Sequence, residues 1–328
     1  DITYLPLISI GVTLPFICIS SILKGYYFGM EEMFPATFSN IIEQVTRLIL
    51  TISLIPRLMN VSLKIAISGV VLINVISEFA SILVLLIFMP KTNIHLKDFK
   101  FNPPIAKDLL TISIPTTGSR LIGSISYFLE PIILTYVLRK VGYTNTFITN
   151  HYGIINGYVY PLLLLPSFFT LAISNALLPV IANNYSRKKY EYSKYKIKQA
   201  ITLSLIIGIP ATLLFMTMPE FFLNLIYHTT EGLEYIKIIA PVFLLYYIQA
   251  PLTTSMQAMD LAKEAMYGTL IGTVIRILLL YLLSMLKIGM WGLIISSIAN
   301  IVFITLHHLY YVVKKLNTKY SKNCYKFS

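Results

Sequence analysis

Six ionisable side chains lie in stretches otherwise built largely of isoleucine, leucine and valine: Glu43, Glu78 and Glu130, with Arg47, Arg120 and Arg276. At bilayer depth each costs at least about 2.5–3.5 kcal/mol on insertion scales, so each is expected to face a bundle interior or a wet cavity. The chemistry open to them is limited. An arginine's planar fork donates two parallel hydrogen bonds and so suits a phosphate. Two or more unpaired arginines in one cavity would suit a pyrophosphate. A carboxylate at the same depth either orients an arginine or carries a coupling ion.

The spacing separates the six. Glu43 and Arg47 are four residues apart and share a helix face, so they can pair. Four residues before Arg276 stands Gly272, which leaves that arginine to find a partner on another helix or to stay available to an anion. Arg120 is surrounded by Gly118, Ser119, Gly123, Ser124 and Ser126, small residues that allow close helix approach or leave room for a ligand. Glu130, ten residues on, falls on a different face from Arg120. The expected substrate contacts are therefore Arg120 and Arg276, with Arg47 behind them. Glu43, Glu78 and Glu130 are expected as ion-coupling groups or structural partners. Asn156, Asn175, Gln249 and Gln257 could bond a sugar or simply join helices, and the second is favoured. His307 and His308 read as interfacial residues at the end of the last span.

The elements that hold these residues are membrane spans. Of 328 residues, 56% are hydrophobic and 12% charged, with mean hydropathy +0.74; soluble domains carry about 25% charged residues. Apolar runs long enough for the roughly 20 residues a spanning helix needs cover 4–23, 38–56, 65–89, 108–138, 151–182, 199–218, 237–258, 265–286 and 288–312. The expected fold is an all-α integral membrane protein of about nine transmembrane helices. Prolines inside the spans, among them Pro115, Pro131, Pro161, Pro166 and Pro251, predict bends. Alternate connections carry 17 and 6 Lys and Arg residues, with three arginines inside spans. That asymmetry puts the richer set in the cytoplasm and accounts for the net charge of +12 without a nucleic-acid partner. The run from Ser186 to Lys198 (SRKKYEYSKYKIK) is the strongest topological anchor, facing anionic membrane lipids. Cys18 and Cys324 make neither a disulfide framework nor a metal site. No metal, cofactor or nucleophile–base constellation emerges, so an enzyme is not expected.

A repeat organises the spans. With an offset of 229, Met30 meets Met259, Ala36 meets Ala265, Ile42 meets Ile271, Val45 meets Val274 and Arg47 meets Arg276. The first three spans then correspond to the last three. The expected organisation is the remainder of an N-terminal half (1–89), a cytoplasmic linker (90–107), a C-terminal half of six helices (108–313) and a basic cytoplasmic tail (314–328). The middle three spans lack a counterpart, which predicts about 120 further residues and three spans before Asp1, since transporters are often built of two repeated halves around a midplane site.

Three stretches carry a family resemblance: KGYYFGMEEMFPATFSNIIEQVTRLI (24–49), ISIPTTGSRLIGSISYFLEPIIL (112–134) and YGIINGYVYPLLLLPSFFTLAISNALLPVIA (152–182). The chain resembles the polysaccharide-transport branch of the multidrug/oligosaccharidyl-lipid/polysaccharide flippase superfamily, and within it the stage V sporulation protein B group. The resemblance implies twelve to fourteen spans in two pseudo-symmetric halves and alternating access around a cationic cavity. It also implies a lipid-linked saccharide diphosphate as cargo, a peptidoglycan precursor for spore cortex being one instance. Two other readings stay open at this point. One is a drug or cation antiporter of the same superfamily, coupled through Glu43, Glu78 or Glu130. The other is a non-transporting fragment or scaffold whose partners are cell-wall synthesis enzymes.

Overall fold

The computed structural model describes residues 4–90 and 103–324, and the described residues contain helices and connections but no strand. Three helices come first: α1 (Tyr4–Gly29), α2 (Met33–Met59) and α3 (Leu63–Phe88). Nine more follow: α4 (Pro103–Val141), α5 (Asn145–Ile154), α6 (Tyr160–Leu164), α7 (Ser167–Ser186), α8 (Tyr190–Thr217), α9 (Pro219–Tyr227), α10 (Leu233–Ala258), α11 (Ala262–Ser284) and α12 (Trp291–Cys324). Eight are long and apolar enough to cross a bilayer, and the bent pair of α5–α6 with α7 makes the ninth span. The bend of 50° falls at Leu165–Pro166. A π-helical turn, Ile155–Val159, precedes it, and among the described residues this is the one span broken by more than 40°. Most of expected linker 90–107 lies outside the described residues, but its last five residues already belong to α4, and α12 runs on into the expected tail.

The outward faces carry large apolar side chains such as Leu48, Ile52 and Ile87. This is the surface a lipid solvent demands, since no hydrophobic drive remains to hide it. Polar side chains turn inward or bond their own helix. Ser77, Ser174, Ser255 and Thr305 donate to the carbonyl four residues earlier, which satisfies a hydroxyl where no water reaches it.

The chain forms two compact units, residues 1–100 and 101–328. In the first, α3 packs along both α1 and α2, which barely touch each other. The Tyr27 hydroxyl donates to the Leu85 carbonyl at 2.7 Å and seals a core of Tyr27, Ala36 and Leu85. That packing carries α1 through Lys24 to Gly29, six residues past the expected span end at 23. The turn itself is only Met30–Glu32, with Glu31 in the left-handed region at φ 61°.

In the second unit α4 packs along α11, α11 along α12, and α12 along α10, which also carries α7 and α8. One apolar core joins Leu134, Leu163, Ile239, Phe243, Tyr247 and Leu293, and Tyr247 donates to the Leu163 carbonyl at 2.7 Å. A smaller core gathers Ile181, Leu252, Met256 and Val312. Between α10 and α11 the chain turns at Asp260, φ 60°, exactly 229 residues after Glu31. Here too the third helix, α12, packs on the first two, while α10 and α11 make only slight contact.

Candidate functional site

The second unit holds two adjoining cavities among α4, α7, α10, α11 and α12. The first, about 350 Å³, is lined by Arg120 with Ser119, Thr170, Asn175, Gln249 and Gln257 among others. Arg120 is the single charged residue in its wall. It is exposed, and among the described residues it has no acidic partner. Of the two uses open to the small residues beside it on α4, Gly118 serves close helix approach: a Cβ there would meet Met266 Sδ of α11 at 2.9 Å.

The second cavity, about 520 Å³, shares Tyr246, Gln249, Thr253 and Thr269 with the first. Its wall includes Arg276, Tyr127, Asn156, Tyr160 and Asn300. Arg276 is not a free cation. Its Nη2 is paired with Glu130 Oε2 across α11 and α4, and its guanidinium lies over the Tyr127 ring, 5.5 Å from the centroid. Glu130 is 1% exposed and also accepts from the Tyr152 hydroxyl at 3.4 Å. A buried carboxylate left without a partner would be prohibitively expensive, so this pair is first of all mutual neutralisation. The expectation that Arg276 stands among the freer cations is corrected here: of the two arginines in these adjoining cavities, only Arg120 has no acidic partner among the described residues.

In the first unit Glu43, 7% exposed, holds two cations: Arg47 Nη2 at 2.6 Å and Lys24 Nζ at 3.0 Å. Arg47 also donates to Gln44 Oε1 at 3.3 Å. The Glu43–Arg47 pair was legible from the i,i+4 spacing. Lys24 lies just past the expected span end at 23, and it reaches Glu43 because α1 continues to Gly29. Glu78 takes no cation among the described residues, and its Oε2 is buried without a hydrogen-bond partner.

The remaining polar candidates divide. Gln249 Nε2 donates to the Ile301 carbonyl at 3.0 Å and to Thr305 Oγ1 at 2.9 Å, so it does join α10 to α12 while facing both cavities. His308 turns into the bundle. It is 1% exposed, lies against Thr253 Oγ1 at 3.1 Å and lines the second cavity. The helix α12 carries it inward because residues 301, 305, 308 and 312 form one buried stripe at helical spacing. Among the described residues no three His, Cys, Asp or Glu side chains gather as a metal site.

Residues 2–185 match the family profile described as Polysaccharide biosynthesis protein. The chain belongs to that family. Residues 155–282 also match the MatE profile, which places this family member in the flippase superfamily. It is 34% identical to stage V sporulation protein B of Bacillus subtilis over 321 residues, covering 96% of this chain and 62% of that protein. It is 22% identical to the lipid II flippase MurJ of the same organism over 293 residues, 82% of this chain and 53% of MurJ. The chain thus spans about three fifths of the length of its sporulation relative. Among solved structures it is similar to an outward-facing multidrug resistance MATE family transporter of the MOP superfamily (TM-score 0.77, 15% identity, 93% of this chain and 68% of that one). A MATE crystal structure in the straight conformation matches equally well (TM-score 0.77, 16% identity, 93% and 68%). This family member therefore has the MATE transporter fold and is a multi-pass membrane protein related to transporters and flippases.

Proposed function

We propose that the protein moves a lipid-linked saccharide diphosphate across the cell membrane by alternating access, and that Arg120 is the principal contact for the diphosphate. The observation that carries this reading is an arginine with no acidic partner in a cavity otherwise lined by hydroxyl, amide and apolar groups. A guanidinium at span depth is retained at a cost, and it is the side chain best matched to phosphate oxygens. Arg276 acts behind it, and Arg47 holds a structural network with Glu43 and Lys24. The relatives named for sporulation and for lipid II support a cell-wall saccharide as cargo. The paired left-handed turns at Glu31 and Asp260 support two repeated halves, with 1–89 belonging to one, 108–313 to the other, 90–107 joining them and 314–328 as a basic tail. Ion coupling falls to Glu78, because Glu43 and Glu130 are committed to arginines and Glu78 keeps a buried, unpartnered oxygen.

The test is flipping of a fluorescent lipid-linked disaccharide diphosphate by the full-length protein in proteoliposomes. Arg120→Gln is expected to lower the rate at least tenfold with normal insertion. An unchanged rate would remove Arg120 from the mechanism, and competition by a lipophilic cation would favour the antiporter reading.

A further inference from the structure

The two cavities differ in chemistry although they share a wall. The Arg120 cavity carries an unneutralised positive charge. The Arg276 cavity carries none in net, because Glu130 cancels Arg276 and Tyr127 covers the guanidinium. What it offers instead is rings and directional polar groups. Tyr160 stacks on Phe243 with centroids 6.3 Å apart and an interplanar angle of 28°, and Tyr246 leans on Phe243 at 5.1 Å. All three line the cavity. Asn300, from α12, lines it too, and no side-chain hydrogen bond engages its amide among the described residues. Arg276 keeps one further donor, Nε, buried and unbonded.

A free phosphate gains little from a neutralised guanidinium, since the competing carboxylate is already in contact with it. A neutral polyol gains more. Its C–H face packs on aromatic faces, whose π-clouds are electron-rich. Its hydroxyls both donate and accept, so they can bond a neutralised guanidinium edge and an asparagine amide, both in the wall, without unbalancing any charge. The volume of about 520 Å³ falls within the usual 300–1,000 Å³ of small-molecule sites. We infer that the Arg276 cavity is a saccharide subsite, taking a neutral pyranose ring of the cargo with Tyr160, Tyr246 and Asn300 as its contacts, next to the anion subsite at Arg120. The inference rests on the flippase reading above but places sugar and phosphate at different residues.

The experiment separates the two. The purified full-length protein in nanodiscs is probed with the disaccharide of N-acetylglucosamine by saturation-transfer NMR and with inorganic pyrophosphate by calorimetry. Tyr160→Leu and, independently, Asn300→Ala are expected to reduce saturation transfer to the disaccharide at least fivefold and to leave pyrophosphate binding unchanged. Tyr160→Phe, which keeps the ring, is expected to retain the signal. Arg120→Gln is expected to do the opposite: pyrophosphate binding lost, disaccharide signal kept. Absence of a disaccharide signal in the wild type, or a wild-type signal in both Tyr160→Leu and Asn300→Ala, overturns the saccharide subsite and leaves the role of Arg120 intact. Full pyrophosphate binding by Arg120→Gln overturns the phosphate assignment and leaves the saccharide subsite standing. Should Tyr160→Leu fail to insert, Asn300→Ala decides.

Discussion

Two helix triplets, α1–α3 and α10–α12, share one plan and solve the same electrostatic problem in opposite ways. In each, the middle helix begins after a left-handed acidic residue, Glu31 or Asp260, and carries an arginine fourteen residues into the helix register, Arg47 or Arg276. In the first triplet the carboxylate is local: Glu43, one turn before Arg47, bonds it and Lys24. In the second it is remote: Glu130 reaches Arg276 from α4. The reason is steric. Positions corresponding to Ser39 and Glu43 are Gly268 and Gly272, where α12 crosses α11 closely. A Cβ on Gly268 would collide with the His307 ring, and one on Gly272 would meet Ile304 Cγ1 at 2.7 Å. No side chain fits there, so the partner has to come from another helix. The lesson is that arginines at like places in two similar helix triplets need not share an environment.

The comparison can be broken most forcefully at the remote pair. Glu130→Gln strands a guanidinium whose side chain is 12% exposed and is expected to destabilise the protein by about 3–5 kcal/mol, as buried pairs do when one partner is removed. Thermal unfolding of the detergent-solubilised protein measures it, and a loss below about 1 kcal/mol would show the pair to be dispensable. Adding Gly272→Glu to that variant copies the first triplet's solution. Sequence correspondence alone predicts rescue. The close crossing predicts none, with a further cost of about 1–3 kcal/mol from overpacking.

A smaller effect is expected at the local pair. Arg47 is 33% exposed at its side chain and has Gln44 as a second partner, so Glu43→Gln is expected to cost about 1.5–3 kcal/mol, the range for hydrogen bonds to charged groups. A loss equal to that of Glu130→Gln would erase the distinction between the triplets. The smallest change sharpens it. Ser39→Ala in α2 removes only a hydroxyl bonded to its own helix at Ala36 and is expected to shift stability by under about 1.5 kcal/mol. Gly268→Ala at the matching place is expected to cost about 1–3 kcal/mol.

Much of this protein was legible in its residues. The spans follow from apolar run length, because a bilayer fixes how many residues a helix must have. The Glu43–Arg47 pair follows from i,i+4 geometry, and the like placement of Arg47 and Arg276 in two helix triplets from their separation of 229 residues. The close approach of α4 to α11 at Gly118 follows from the small residues beside Arg120. What the residues could not reveal is which arginine is free. Glu130 and Arg276 are 146 positions apart, and only the packing of α4 against α11 brings them together. Likewise His308 looked interfacial by position, and only the path of α12 along α10 buries it. Local spacing determines contacts within a helix; partners between helices depend on how the helices cross, and that was decided by tertiary structure alone.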